Sequence, residues 1–371
     1  MSISTFSFPT RILFGMGSIE RLTEEAAAAG MSRPLIVTDR GLVAAPIFQR
    51  ILTMLPYAPV FSEVDPNPTE VNVISGAKYY LENGCNGIVG VGGGSALDAA
   101  KAIRLITTHD LPLADYDDLI GGGNKITSDL PPFIAAATTS GTGSEVGRSA
   151  VITIWKTKRK TVIFSPHLIA SLVINDPELT LDLPPHITAG TGMDAFTHNV
   201  ETYLANGYHP ICDSIAIAGA TMVVHNLPNV MIDPHDMAAR TNMMMASMMG
   251  AIAFQKGLGA THSLAHPLSS ECGMHHGTAN AVLLPHVLEF NHIVASERLN
   301  DLARAFGVSD AIDHVRELNA ICAIKPRLRD YGIMEDTLPM LADKAILDGC
   351  HQSNPRPCTR EDLLELYRKS W

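Results

Sequence analysis

The sequence predicts a two-part fold: an α/β domain with a parallel sheet, followed by a domain built of helices. Three observations lead to this prediction. Short apolar strands alternate with helical stretches in the first half, two glycine-rich loops each follow a predicted strand, and strand candidates largely vanish after about residue 180. Alternating strands and helices are typical of a mostly parallel sheet with helices on both faces.

The first half is read from short apolar runs and from helical spacing. Predicted strands cover 34–39, 58–64, 87–95, 132–145, 160–165 and 171–176, and the third and fourth of these open into glycine-rich loops. Predicted helices follow the first strand to about Leu55 and then cover 71–84, which ends on a glycine cap, and 96–108. This pattern places an α/β domain at residues 1–180.

The second half differs from the first in composition and hydrophobic pattern. Long segments rich in Ala, Met and Leu predict helices over 186–206, 210–231, 235–255 and 258–272. The run "NMMMASMMGAIAF" is interpreted as helix core because methionine fills irregular gaps between packed helices. We therefore place an all-helical domain at residues 181–371.

Composition excludes several classes of function. The chain has 371 residues, a formal net charge of −11 and 18% charged residues, and its one short basic run, "KTKRK" (156–160), reads as a solvated turn. An acidic chain of this kind is not expected to bind nucleic acid or an anionic membrane surface. Its six cysteines form no CxxC pair, and no signal peptide or membrane-spanning run is evident, so a cytoplasmic location is expected.

Two glycine-rich loops follow predicted strands and favour a dinucleotide. "GVGGGSALDAAKA" places Gly92–Ser95 between a strand and a helix, where backbone N–H groups and the helix N-terminus can bind a phosphate. "TTSGTGSE" (138–145) follows another strand with further hydroxyls and glycines. The first loop lacks the G-x-G-x-x-G pattern, so a tight βα turn is the alternative interpretation for it alone.

A carboxylate ends the first strand of this half. Asp39 could accept hydrogen bonds from ribose hydroxyls and would repel a 2′-phosphate, which favours NAD over NADP. The alternative is a simple N-cap for the helix that follows.

Four histidines lie within "THSLAHPLSSECGMHHG" (261–277), and a fifth follows an acid in "GTGMDAFTHNVETYL" (190–204). Asp194 and His198 are four residues apart, so they share one face of an apolar helix. A buried carboxylate is unfavourable unless it is paired or bound to a metal. One carboxylate with several imidazoles suits Fe²⁺ or Zn²⁺, and such a cation beside a nicotinamide can assist alcohol oxidation.

At this point the sequence resembles the iron-containing (group III) alcohol dehydrogenases along nearly its whole length. The resemblance lies in "FPTRILFGMGS", "DPNPT", "GGGSALDAAKA", "TTSGTGSE", "DPELT", "TGMDAFTHNVE", "LAHPLSS", "HHGTANAVLLPHVLEFN" and "NPRPCTREDLLELY". It implies an N-terminal Rossmann-like domain that binds the dinucleotide and a C-terminal helical domain that binds metal and substrate, in the dehydroquinate synthase-like arrangement. It also implies a homo-oligomer of two or more chains.

The resemblance also implies site residues. The metal ligands fall on Asp194, His198, His262 and His276, and His266 falls on the proton path. Spacing alone leaves His262 and His266 indistinguishable. The cofactor-binding residues implied are Asp39, Asn67, Gly93, Gly94, Ser95, Asp98, Thr138, Thr139, Thr142 and Lys160.

The sequence departs from the family pattern in three places. His275 stands where proline is usual, and Ser149 stands where asparagine is frequent. "FQKGLGATH" is one residue shorter than the family segment before the third ligand, and it carries Lys256. This lysine could attract an acidic substrate or could face solvent at a helix end, and Arg148 is open to the same two interpretations.

The function predicted is a metal-dependent, NAD(H)-linked dehydrogenase that interconverts a primary alcohol and its aldehyde by direct hydride transfer. The nearest alternative is a reductase of an acidic aldehyde or keto acid, of the semialdehyde, phosphonate or maleylacetate type. A dehydroquinate synthase-like lyase would use a different acid in its ligand set. A non-catalytic scaffold would have no physical use for an acid and three imidazoles.

Overall fold

The computed structural model describes residues 6–156 and 159–371. Thr157 and Lys158, in the basic run predicted to be a solvated turn, lie outside the described residues. The chain forms two compact units. The α/β unit comprises Phe8–Thr139 and Gly143–Asp182, and the helical unit comprises Leu183–Trp371 with Ser140–Thr142 and the described residues Phe6 and Ser7. The assignment of cofactor binding to 1–180 and of metal and substrate binding to 181–371 stays a prediction.

The α/β unit is built on a six-stranded sheet in which all neighbouring strands are parallel. The sheet contains β1 (Arg11–Phe14), β2 (Pro34–Asp39), β3 (Val60–Val64), β4 (Gly87–Gly92), β5 (Phe133–Ala137) and β8 (Leu172–Asn175), in the order β1-β8-β5-β4-β2-β3. Every residue of β4 and β5 is buried, as expected of strands with helices on both faces. The predicted parallel α/β fold is confirmed.

Helices α1 to α5 connect these strands: α1 (Leu22–Ala28), α2 (Arg40–Val43), α3 (Pro46–Met54), α4 (Glu70–Glu82) and α5 (Gly94–Ile106). Thr69 and Asn72 form a capping box at the start of α4, which satisfies two backbone N–H groups there.

One predicted strand lies outside the main sheet. Strand β7 (Arg159–Phe164), predicted at 160–165, pairs antiparallel with β6 (Ser149–Ile154) in a separate two-stranded sheet. The sequence interpretation missed β6 and β1. The alternating burial of β6 shows that one of its faces is covered, whereas the central strands β4 and β5 are covered on both.

The strand order reverses beside β2. From β2 the chain runs outward to β3, and it then returns to β4 on the other side of β2. The loops that leave the carboxyl ends of β2 and β4 therefore diverge, and the crevice between such loops is the usual ligand site of an open parallel sheet. Asp39 and the glycine loop lie at these two strand ends.

The helical unit contains the eight helices α6 (Pro185–Leu204), α7 (Pro210–Ile232), α8 (Met237–Ala253), α9 (Ala260–Cys272), α10 (His276–Phe306), α11 (Ala311–Ile321), α12 (Leu338–Ala345) and α13 (Arg360–Ser370). One apolar core includes Met193, Phe196, Leu227 and Met243, which supports the interpretation of the methionine-rich run as helix core. A second core packs α9 and α10 against the C-terminal helices.

Helix α7 is long and apolar enough, by length and composition alone, to cross a membrane. A single helix of this kind is weak evidence for a membrane span, because the core helix of a soluble protein meets the same criterion. Its residues Cys212, Ala216, Val223 and Leu227 are buried in the helical core. Packing between helices of the folded unit covers part of this apolar stretch, of which 39% is buried.

Candidate metal and dinucleotide sites

Helix α6 presents Asp194 and His198 on one face, as their spacing predicts. From Met193 to Leu204 every residue of this helix is buried. A carboxylate in such surroundings requires strong partners. Those partners come from α9 and α10.

Three imidazoles surround the carboxylate. The Nε2 atoms of His276, His262 and His198 lie 3.6, 3.9 and 4.0 Å from Asp194 Oδ1. The rings of His198 and His262 stack with centroids 4.7 Å apart. Ligands bonded to one cation at about 2.1 Å in tetrahedral geometry would lie roughly 3.4 Å from one another. The donor types fit a divalent cation, and Asp194, His262 and His276 each offer a donor atom within 4.8 Å of the others. His198 places its Nε2 4.0 Å from Asp194 but does not belong to that closest group.

Glu201, which sequence reasoning missed, holds the His262 ring. Its Oε2 lies 2.7 Å from His262 Nδ1, and its carboxylate also accepts the backbone N–H groups of Gly259 and Thr261 at 3.0 and 2.6 Å. A carboxylate on one ring nitrogen leaves the other as a lone-pair donor, which faces Asp194 here. The only signal in the sequence was an acid three residues after His198 on a buried helix.

The protonation of these imidazoles follows from their surroundings. Burial lowers the pKa of His198 to about 4, although the charge of Asp194 partly opposes this shift. Burial alone would lower the pKa of His262, but the hydrogen bond and charge of Glu201 raise it overall. His198 is therefore neutral, as a ligand must be, at physiological pH.

Asn280 is a second residue that sequence reasoning missed. Its Nδ2 donates to Asp194 Oδ1 at 2.8 Å and lies 3.4 Å from His262 Nε2 and 3.3 Å from His276 Nε2. The amide thus contacts the same lone pairs that a cation would use. A bound cation and this amide compete for them.

His266 and His275 occupy different positions around this cluster. The His266 ring stacks on His276 with centroids 5.2 Å apart, and its Nδ1 lies 2.7 Å from Asp348 Oδ2. His275 caps the start of α10, where its Nδ1 accepts the Thr278 N–H at 3.4 Å. His275 is thus a structural neighbour of the histidine cluster.

Three of the elements predicted to bind the dinucleotide lie at the switch of strand order. Asp39 Oδ1 accepts the Leu42 N–H at 2.9 Å, so this residue does cap α2, while Oδ2 lies 3.5 Å from the position a Cβ on Gly92 would take. A Cβ on Gly93 would lie 3.2 Å from Thr139 Cγ2. The Asp39 carboxylate, the glycine loop and Thr139 are therefore adjacent.

The N-terminus of α5 fits a phosphate. Gly92 has a φ of +149°, which a side chain would strain, and the first residue of the helix is Gly94. Among the described residues no side chain caps this helix. Its first N–H groups can therefore bind an anion.

The remaining predicted cofactor residues have varied surroundings. Ser95 Oγ donates to the Pro66 carbonyl at 3.3 Å beside the half-buried Asn67. The Thr138 N–H donates to the Gly92 carbonyl at 3.0 Å, and Thr142 belongs to the segment Ser140–Thr142 of the helical unit.

Asp98 is already engaged within the protein. Its carboxylate accepts Ser144 Oγ at 2.6 Å and the Val151 N–H at 3.0 Å. Burial raises its pKa, which the charges of Lys101 and Lys160 partly oppose. Asp98 thus tethers the second glycine loop to α5, and its predicted cofactor contact stays a prediction, as does that of Lys160.

Lys256 does not face solvent, so that sequence interpretation of it is wrong, and its charge is already paired within the protein. Its side chain is 1% exposed, and Nζ pairs with Asp213 and donates to the Tyr203 carbonyl. Arg298 donates to the other Asp213 oxygen at 2.9 Å. The shortened segment therefore contributes a buried lysine to an ion-pair cluster.

Replacing Asp213 with asparagine is expected to lower the free energy of unfolding by about 2 kcal/mol at pH 7, because it leaves the buried Lys256 ammonium without its counter-charge. Burial opposes ionisation of Asp213, but Arg298 and Lys256 lower its pKa overall. The stabilisation is therefore complete above the unfolded pKa of about 3.9 and is lost as pH falls through the lower folded value. Urea unfolding of both proteins at pH 7 and pH 3 measures this difference.

Asp313→Asn is the matched control because that carboxylate is 72% exposed and pairs with Arg316 at the surface. Its effect should stay below about 0.5 kcal/mol. An Asp213→Asn variant as stable as wild type at pH 7 would contradict the role given to the cluster.

Comparison with known proteins identifies the family. The iron-containing alcohol dehydrogenase model matches residues 9–177, and the C-terminal model of the Fe-containing alcohol dehydrogenase family matches residues 188–371. The chain belongs to the iron-containing alcohol dehydrogenase family and is an oxidoreductase. This confirms the resemblance drawn from the sequence motifs.

Several relatives resemble the chain over its full length. A 4-hydroxybutyrate dehydrogenase of Cupriavidus necator is 41% identical over 375 residues, which cover 97% of this chain and 98% of that protein. The crystal structure of a 1,3-propanediol oxidoreductase matches with a TM-score of 0.94 and 35% identity, covering 99% of this chain and 100% of that one. Sulfoacetaldehyde reductase from Bifidobacterium kashiwanohense in complex with NAD⁺ matches with a TM-score of 0.91 and 31% identity, covering 100% and 99%.

Proposed function

We propose that the protein is a metal-dependent, NAD(H)-linked dehydrogenase that interconverts a primary alcohol and its aldehyde. The observation that carries this proposal is the convergence of the Asp194 carboxylate with the Nε2 atoms of His198, His262 and His276. These four residues would hold Fe²⁺, or Zn²⁺ in its place, since the ligand types suit both cations. Such a cation would supply a Lewis acid for the substrate oxygen, and a bound nicotinamide would supply or take up the hydride.

The chain's own residues orient the metal ligands, move the substrate proton and hold the dinucleotide. Glu201 fixes the His262 ring so that its Nε2 faces Asp194, and burial keeps the side chains of Asp194 and His198 away from bulk water. His266, partly exposed beside His276, carries the proton that the substrate hydroxyl loses or gains. Asp39, the glycine loop and Thr139 would hold the dinucleotide at the carboxyl ends of β2, β4 and β5.

A substrate panel tests the proposal. Purified protein is loaded with Fe²⁺ or Zn²⁺ and assayed with NADH and NADPH against short aldehydes, diol-derived aldehydes and semialdehyde acids. Reduction of unbranched neutral aldehydes with NADH is expected. The names of two relatives favour acidic substrates, whereas the burial of Lys256 removes one cation that would recognise them. A strict preference for semialdehyde acids would therefore select the alternative function, and inactivity with every aldehyde would reject both.

We also expect a cytoplasmic enzyme that assembles as a homo-oligomer of two or more chains. The family resemblance supports this expectation, and light scattering of the purified protein measures its mass.

Asp39→Asn is expected to raise the ratio of kcat/KM with NADPH to that with NADH by about tenfold. The substitution removes the negative charge that would repel a 2′-phosphate, and a change of about 1.4 kcal/mol corresponds to tenfold. Asparagine keeps an oxygen that can accept the Leu42 N–H and cap α2. Steady-state kinetics with both cofactors measure the ratio.

Asp129→Asn serves as the control, since Asp129 is an exposed acid of the same unit. It should leave the ratio unchanged. If Asp39→Asn also leaves it unchanged, Asp39 does not select the cofactor.

Glu201→Gln is expected to weaken metal binding by about 10–100-fold, the usual effect of removing a carboxylate that orients a ligating histidine. Glutamine has nearly the same size but carries an amide nitrogen, which cannot accept the backbone and imidazole hydrogens that Glu201 accepts. Competition with a chelator of known affinity measures the dissociation constant. Glu297→Gln, an exposed position on α10, should bind the metal as wild type does. Wild-type affinity in Glu201→Gln would show that the His262 orientation does not depend on this carboxylate.

A further inference from the structure

The most specific contact of His266 is with an acid far away in the sequence. Asp348 lies 82 residues from His266, outside every motif of the sequence analysis, and its Oδ2 is 2.7 Å from His266 Nδ1. Both side chains are about one-fifth exposed. The pair is thus reachable by solvent, whereas Asp194 and His262 are not.

The second oxygen of this acid is anchored by two other donors. Oδ1 accepts Ser263 Oγ at 2.7 Å and the Cys350 N–H at 2.9 Å. Ser263 in turn accepts the His351 N–H at 2.8 Å and lies one turn before His266 on α9. One oxygen therefore fixes the carboxylate, and the other is directed at the imidazole.

This arrangement determines which ring nitrogen carries the proton. Burial alone would raise the pKa of Asp348, but the charge of His266 and the hydrogen bonds of the pair, of Cys350 and of Ser263 hold it well below its usual range. An ionised carboxylate only accepts hydrogen bonds, so Nδ1 must donate. In a neutral imidazole the lone pair is then on Nε2.

We propose that Asp348 is a positioning residue that holds His266 in the tautomer with the proton on Nδ1, so that Nε2 accepts the substrate proton. The catalytic part of this proposal rests on the proposed dehydrogenase function. In alcohol oxidation the hydroxyl proton moves to Nε2, directly or through one water, and His266 then releases it to solvent. The electron pair of the broken C–H bond leaves with the hydride to the nicotinamide, and aldehyde reduction reverses both transfers.

Asp348→Asn provides the sharpest test. The two donors on Oδ1, Ser263 Oγ and the Cys350 N–H, should retain the asparagine oxygen and turn its NH₂ group towards His266. Nδ1 must then accept, which moves the imidazole proton to Nε2. The variant keeps the size of the side chain and inverts the tautomer.

The tautomer is read by NMR on the zinc-loaded protein with ¹⁵N-labelled histidine at alkaline pH, where imidazoles are neutral. The His266 signals are assigned by their loss in His266→Ala. We expect an Nδ1–H imidazole in wild type and an Nε2–H imidazole in Asp348→Asn. An Nε2–H imidazole in wild type, or an unchanged tautomer in the variant, would overturn the proposal. Because no turnover is needed, this result stands even if the dehydrogenase function fails.

Kinetics then test whether Asp348 acts through His266. Asp348→Asn should lower kcat by roughly 10²-fold, in the range of one acid–base catalyst, with metal content and substrate KM nearly unchanged. In a His266→Ala background the same substitution should change kcat by less than about twofold, since residues that act as a unit are not additive. Asp343→Asn, an exposed acid on α12, is the matched control. Multiplicative losses, or loss of metal from Asp348→Asn, would refute the positioning role.

Discussion

His262→Ala is expected to lose the bound metal and nearly all dehydrogenase activity. His262 is 1% exposed, stacks on His198 and places its Nε2 3.9 Å from Asp194. Alanine removes one of the four donor atoms of the site. Because this position is buried, no solvent-facing group can take the place of the lost imidazole. We expect metal content to fall from about one to below about 0.1 per chain and kcat/KM to fall by at least about 10³-fold. Elemental analysis of the purified protein and initial rates measure the two effects.

The control must show that the effect comes from losing a metal ligand and not from replacing any histidine of this unit. His225 lies on the exposed face of α7 in the same unit, so His225→Ala should keep the metal and the activity. His276→Ala gives a second ligand variant at a more exposed position, where side-chain truncation leaves a smaller cavity. A His262→Ala protein that retains full activity after metal stripping would refute the ligand role.

The fold could be predicted because its signals are local. Buried parallel strands appear as short apolar runs, and the change to long helical segments near residue 180 needs no knowledge of contacts. The position of Arg159–Phe164 outside the main sheet could not be predicted, because strand pairing depends on distant partners. The same reason explains why the four-residue strand Arg11–Phe14 was missed, since among the described strands it pairs with Leu172–Asn175 alone.

The residues of the candidate site likewise include some that the sequence predicts and some that only the fold reveals. Asp194 and His198 are four residues apart on one helix, so their shared face follows from the sequence alone. Glu201 contacts the backbone of Thr261 across 60 residues, and Asp348 meets His266 across 82. Neither acid belongs to a spacing that indicates chemistry, because folding alone brings it to its imidazole. Lys256 shows the reverse case, in which a suggestive charge is neutralised by Asp213 in the fold.

Gly277→Ala is expected to destabilise the protein and to weaken metal binding, although alanine normally favours a helix. A Cβ on Gly277 would lie 1.9 Å from the Gly190 carbonyl oxygen and 2.6 Å from its carbon. Both atoms are backbone of α6, so they cannot rotate away. The first turn of α10 must then move from α6, and it carries His276, whose Nε2 lies 3.6 Å from Asp194. Overpacking of this kind lowers stability by about 1–3 kcal/mol, whereas alanine in an open helix would raise it by about 0.5–1 kcal/mol.

The sign of the stability change in Gly277→Ala therefore decides whether α6 and α10 must approach this closely. Gly190→Ala is the matched variant across the same contact, because its Cβ would meet the His275 ring at 2.6 Å, and a side chain can turn aside. Gly349→Ala, with nothing within 4 Å of its Cβ, should be neutral in urea unfolding. We expect the loss of stability to rank Gly277→Ala above Gly190→Ala above Gly349→Ala, with weakened metal binding greatest in the first. A stabilised Gly277→Ala protein with normal metal affinity would mean that α6 and α10 need not approach so closely. The distance between Asp194 and His276 would then be set by something other than these two glycines.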